Sequence, residues 1–148
     1  MTNVIFAPIM ARLVAIDYGQ KRTGLAVTDP LQLIATALET VPTHTLLDFL
    51  KAYVLAEPVE AFVMGLPKHL DGNDTDNTPR VLTFVKRLET ALPDTPVFLH
   101  DERFTSRMAL AAMIAAGSTK KDRRNKGNID KVSAAIILQS YMESKKII

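Results

Sequence analysis

Residues 13–27, LVAIDYGQKRTGLAV, decide the fold. Two apolar runs flank a short polar turn containing glycine, and a carboxylate, Asp17, closes the first run. Short apolar runs bounded by turn residues read as buried strands. Residues 12–17 and 23–29 are therefore expected to form an antiparallel pair joined by YGQKR. An acid at the exit of a buried strand has two readings. It is a turn residue hydrogen-bonded to nearby backbone, or it is placed there to bind something.

Working outward, residues 33–41 read as a third strand and complete a meander. Residues 43–56 carry Leu46, Leu47, Leu50, Tyr53 and Val54 at helical spacing. Residues 61–64 form a short buried strand leading into GLPKHLDGNDTDN, a loop rich in turn residues. Thr78-Pro79 starts a helix reaching about Leu92, and VFLHDE at 97–102 is the fifth strand. A helix capped by Thr105 or Ser106 runs to Gly117, and a last helix spans 130–143. Strands alternating with helices late in the chain imply parallel neighbours covered by helices. The expected fold is α/β, with a mixed five-stranded sheet whose first three strands are antiparallel, in a single domain over residues 1–148. Residues 1–11 are an N-terminal extension with no assigned function.

A chain of 148 residues can bury one ordinary core. It contains no cysteine, which excludes a disulfide scaffold and any thiolate site, and fits a reducing cytoplasm. No apolar run approaches the roughly 20 residues of a membrane helix, and the N-terminus lacks the charged start of a signal peptide. Net charge is only +2, but residues 118–131 carry six basic side chains against two acidic ones. Asymmetry of this kind marks a local electrostatic feature.

Acids stand at the ends of two expected strands and at the start of the last helix: Asp17, the Asp101-Glu102 pair and Asp130. In open α/β sheets, sites form beyond the carboxyl ends of the strands. In the last helix Asp130, Ala134, Ile137 and Tyr141 share one face, while Val132, Ala135 and Ile136 form a competing apolar stripe. Two carboxylates about 4 Å apart repel by roughly 4 kcal/mol at an effective dielectric near 20, and a shared cation removes that cost. Carboxylate oxygens suit Mg²⁺ or Mn²⁺, and such ions serve the hydrolysis of phosphodiesters. Strand alternation puts Asp101 and Glu102 on opposite faces, so only one of them is expected to join Asp17. The sequence does not choose which. Asp130 has the alternative role of a helix cap.

Four blocks resemble the YqgF family: IDYGQKRTGLAVTDP, FVMGLPKHLDG, HDERFTS and DKVSAAIILQSYME. They stand in the family's order and extend from about Leu13 to Glu143. The resemblance implies an RNase H-like fold and a nuclease that processes the 5′ end of pre-16S ribosomal RNA. It implies Asp17, Glu102 and Asp130 as catalytic metal ligands, and pre-rRNA and the small ribosomal subunit as partners. The family was first proposed to resolve Holliday junctions, so four-way DNA is the alternative substrate.

Groups expected to hold nucleic acid are Lys21 and Arg22 in the turn after Asp17, Arg80 at the start of a helix, and Arg103 beside Glu102. Lys120, Lys121, Arg123, Arg124 and Lys126 join them, in a loop just before Asp130. Gly19 and Gly24 would let backbone approach phosphate or metal, or Gly24 serves as a packing contact. Tyr18 and Phe104 adjoin acids and are candidates for touching a base. His44, His69 and His100 show no metal-ligand spacing. Two further classes compete. D-x-G-x-x-x-x-G also resembles the phosphate loop of the actin and sugar-kinase superfamily, and a non-catalytic nucleic-acid module is the other.

Overall fold

The computed structural model describes residues 11–102 and 126–146. Strands β1 (Arg12–Asp17), β2 (Arg22–Thr28) and β3 (Ala35–Pro42) form the expected antiparallel meander. A 3₁₀ turn, Thr43–Thr45, leads into α1 (Leu46–Ala56). Then come β4 (Val59–Leu66), α2 (Thr78–Ala91), β5 (Val97–Asp101) and α3 (Lys126–Lys146). The sheet order is β3-β2-β1-β4-β5, with β4 parallel to β1 and β5 parallel to β4. No helix among the described residues is long and apolar enough to cross a membrane.

Local chemistry sets the turns. Asp29 follows β2 and accepts backbone N–H bonds from Leu31, Leu33 and Ile34 (3.2, 2.8 and 2.7 Å), which closes the β2–β3 connection. The residue before α2, at its capping position, is Asn77. The Thr78 hydroxyl donates to the Pro67 carbonyl (2.7 Å) and accepts from the Thr75 amide (2.8 Å), drawing the 67–77 loop closed. The loop is also bridged by a Lys68–Asp74 ion pair.

Period-two alternation sorts the strands' side chains between two layers. Val14, Ile16, Leu25, Val27, Phe62 and Met64 pack against Leu46 and Leu50 of α1 and Val81, Phe84, Val85 and Leu88 of α2. Leu13, Ala15, Ala26, Ala61 and Val63 pack against Ala134, Ile137, Leu138, Tyr141 and Met142 of α3. The Asp130/Ala134/Ile137/Tyr141 stripe therefore faces the sheet, and Val132, Ala135 and Ile136 lie at its margin, half-buried. Two expectations are corrected. β4 extends two residues beyond 61–64 at each end, because its edges find partners in β1 and β5. Helix α3 begins at Lys126, so Asp130 lies in its second turn and is not a cap. The helix expected to follow Thr105 or Ser106 lies outside the described residues.

Candidate active site

Asp17 is the last residue of β1 and, with Leu13 and Ala15, belongs to the face that α3 covers. Its neighbours in the sheet carry no side chain. On one side the register pairs it with Gly24 of β2. On the other, the pairing Ile16–Met64 brings Gly65 of β4 to the next position. Each absent side chain is replaced by something specific. A Cβ at Gly24 would fall onto the Asp130 carbonyl and the Lys131 amide, so the backbone of α3 rests directly on the strand. A Cβ at Gly65 would stand 2.6 Å from Glu102 Oε2 and 2.6 Å from Ile137 Cδ1.

The gap at Gly65 joins the acids. Asp17 and Glu102 leave strands separated by β4, about 9–10 Å apart at the backbone given the usual strand spacing. They nevertheless hydrogen-bond each other. The Glu102 amide donates to the Leu66 carbonyl (3.1 Å), continuing the line of β5. Phe98 and His100, four and two residues back, meet Tyr141 of α3 with ring centroids 6.1 and 5.9 Å away. Alternation then assigns Glu102 to the α3 side and Asp101 to the other. Asp101 is exposed. Of the two acids left open by the sequence, Glu102 is the one that meets Asp17.

The electrostatics follow from this placement. Burial raises the Asp17 pKa to about 6; the Glu102 bond opposes the rise and the Asp130 charge adds to it. Burial, then the Asp17 charge and hydrogen bond, then Asp101 push Glu102 up to about 9. Both shifts run upward and so favour a shared proton on the pair, which would relieve the repulsion between the two carboxylates. Asp130 is close enough to act on Asp17, yet its carboxylate accepts a bond from Arg22 Nε at 2.5 Å. Among the described residues no three Asp, Glu or His side chains stand close enough to enclose an ion. The donor set nevertheless fits a hard divalent cation: carboxylate oxygens only, two in contact and a third alongside, their charges held in check by a proton and a guanidinium.

The expected phosphate-binding groups divide. Arg22 opens β2 and engages Asp130. Lys21 is exposed and, with Gly19, Gln20, Arg22 and Asp130, lines an open polar cleft. Arg80 stands exposed on α2. Arg103, Lys120, Lys121, Arg123 and Arg124 lie outside the described residues, as does Phe104. Lys126 begins α3, but its side chain lies outside them as well.

The sequence reading missed the groups that brace the 18–22 turn. Buried Thr23 shares a hydroxyl bond with Thr43 (2.9 Å), and Thr43 donates to the Gly19 carbonyl (2.6 Å). From the other side Asn77 Nδ2 donates to the Tyr18 carbonyl (2.8 Å). The available signal was a hydroxyl inside an apolar strand, at Thr23 in RTGLAVT.

The chain matches the family model described as "RuvX: Holliday junction resolvase" over residues 11–144. It is 55% identical over 139 residues to a Phocaeicola vulgatus protein named "Putative pre-16S rRNA nuclease", covering 94% of this chain and 100% of that one. Proteins of the same name from Bacteroides fragilis and Flavobacterium johnsoniae are 53% and 50% identical, each across 93% of this chain and 100% and 99% of their own. Among solved structures, Thermus thermophilus RuvC, determined in complex with a Holliday junction substrate, is similar with a TM-score of 0.56. The identity is 17%, over 93% of this chain and 96% of that one. That likeness shows a shared fold, in line with the RNase H-like expectation.

Proposed function

The chain belongs to the RuvX family, also called YqgF, and on that footing we propose that it is a divalent-metal-dependent nuclease acting in the cytoplasm on the 5′ end of pre-16S rRNA. The observation that carries this reading is the meeting of Asp17 and Glu102 across Gly65 with Asp130 alongside. The names carried by relatives at 50–55% identity supply the substrate.

Asp17, Glu102 and Asp130 would hold Mg²⁺ or Mn²⁺. When bound, the cation supplies positive charge to the reacting phosphate and acidifies water. The chain's own residues do the rest. On cation binding, the proton shared by Glu102 and Asp17 would pass to solvent water, leaving both carboxylates as acceptors. Arg22 keeps the Asp130 carboxylate at the β1–β2 turn. The Thr23–Thr43–Gly19 bonds keep that turn from moving when a charged strand arrives, and Lys21 on its rim draws in phosphate.

The test uses a 5′-extended 16S rRNA fragment and a synthetic four-way DNA junction in parallel. The parent protein is expected to cut the RNA only with Mg²⁺ or Mn²⁺, and Asp17→Asn and Glu102→Gln to lose that cleavage while still melting cooperatively. Undiminished cleavage by Asp17→Asn overturns the mechanism. Cleavage of the junction with none of the RNA replaces the substrate by the family model's namesake reaction.

A further inference from the structure

Alternation sends Asp17 toward α3 and the next residue, Tyr18, to the opposite face, where it packs against α2. Its ring lies against that of Phe84 with centroids 5.1 Å apart and planes 32° from parallel. Arg80, Thr83, Phe84 and Arg87 follow one another at i, i+3, i+4 and i+7 and so share one face of α2. With Tyr18 and Pro79 they line a cleft of about 250 Å³. That is below the roughly 300 Å³ at which pockets for larger ligands begin. Phe84 is its buried back wall, and Arg80, Thr83 and Arg87 are exposed.

Among the described residues, the charges in this cleft have no ion-pair partner. Four arginines lie among the described residues. Arg12 and Arg22 pair with carboxylates, whereas Arg80 and Arg87 have no ion pair among the described residues, and both line this one cleft. No acidic side chain among the described residues lines it. The Arg87 guanidinium is centred 5.8 Å over the Phe84 ring, a cation–π placement that orders it at the cleft wall. The cleft thus combines an aromatic surface with two ordered or exposed guanidinium groups, two helical turns apart, on the opposite face of the sheet from Asp17 and reached from it through the next residue, Tyr18. Aromatic faces with flanking cations take unpaired bases, whose π-faces a duplex hides.

We propose that the Tyr18–Arg80–Arg87 cleft is a subsite for one unpaired nucleotide of an RNA substrate, its base on Tyr18 and its flanking phosphates on Arg80 and Arg87. This rests on the nuclease reading and sharpens it: the enzyme selects single-stranded RNA next to its cut site. Base-paired arms of a junction offer the cleft nothing to stack.

The test is fluorescence anisotropy of a short labelled single-stranded RNA, and of the same RNA in a blunt duplex, with the full chain in chelator across a salt series. Arg80→Ala and Arg87→Ala are each expected to reduce the salt slope for the single strand by about 0.7. Tyr18→Leu is expected to weaken single-strand binding roughly tenfold with the slope unchanged, leave duplex binding unaffected, and Tyr18→Phe to bind as the parent does. Should Tyr18→Leu fail to fold, quenching of a 2-aminopurine in the RNA on binding the parent reports the same stack. A purely structural role for these residues would lower the melting temperature without altering the salt slope. Parental slopes in both arginine variants, equal weakening of single strand and duplex in Tyr18→Leu, or an unquenched 2-aminopurine overturns the subsite. If the parent still cuts RNA in an Asp17-dependent way, the nuclease reading survives that result. If the parent neither binds nor cuts RNA, both fall.

Discussion

The two faces of the sheet are filled with side chains of different size. Toward α1 and α2 the central strands present Val14, Ile16, Leu25, Phe62 and Met64. Toward α3 the same strands present one large residue, Leu13, and otherwise Ala15, Ala26, Ala61 and Val63, with Gly24 and Gly65 at the carboxyl end. Bulky side chains hold helices at a distance and bury much apolar area. Small ones let a helix backbone touch the strand, as Asp130 does at Gly24. The large-residue face supplies stability. The small-residue face gives up some of that area and gains close placement of three acids on two strand ends and a helix.

Substitutions that separate these two roles test the contrast. The largest change in stability is expected on the bulky face. Leu50 of α1 is fully buried, and Leu50→Ala should cost about 2–5 kcal/mol in urea unfolding. The proposed cleavage, measured per folded molecule, should be unchanged. On the small face the order of effects reverses. Gly24→Ala adds one methyl against unyielding backbone and should cost about 3 kcal/mol, the upper end for overpacking. It should also remove cleavage, because α3 must lift and carry Asp130 away. Equal loss of cleavage in both variants, measured at matched folded fraction, would break the distinction.

The smallest effect concerns pH. Asp17 and Glu102 bind protons more tightly in the folded chain than when unfolded, because burial disfavours their charges. Between their ordinary carboxylate pKa values and the folded values of about 6 and about 9, the folded state holds more protons than the unfolded one. The pair's contribution to stability is therefore full below pH ~4 and declines as pH rises through the folded pKa values. In chelator, Asp17→Asn should raise stability at pH 8 by on the order of 1–2 kcal/mol and flatten the decline between pH 5 and 9. Thermal melts of parent and variant across that range decide it. A variant less stable than the parent at pH 8 would mean that the acids are not mutually strained.

Much of this was legible locally. Apolar runs and turn residues around YGQKR marked the β1–β2 hairpin, helical spacing marked α1, and the Thr78-Pro79 start marked α2. The acids were visible as polar residues where apolar runs end. Other features were not. Alternation showed that Asp101 and Glu102 take opposite faces, but not which face α3 would cover. Gly24 read either as letting backbone approach phosphate or metal, or as a packing contact. Arg22 looked like a phosphate ligand, and its partner Asp130 lies 108 residues away.

By itself, then, the sequence determined the order of elements, the meander and the candidate acids, because hydrogen-bonding period and turn chemistry are written in neighbouring residues. Only the tertiary structure decided that Glu102 rather than Asp101 meets Asp17, that Arg22 holds Asp130, and that two glycines flank the first acid. These are choices of face and register between distant segments. They are fixed by which side chains, or absences of side chains, allow two backbones to approach.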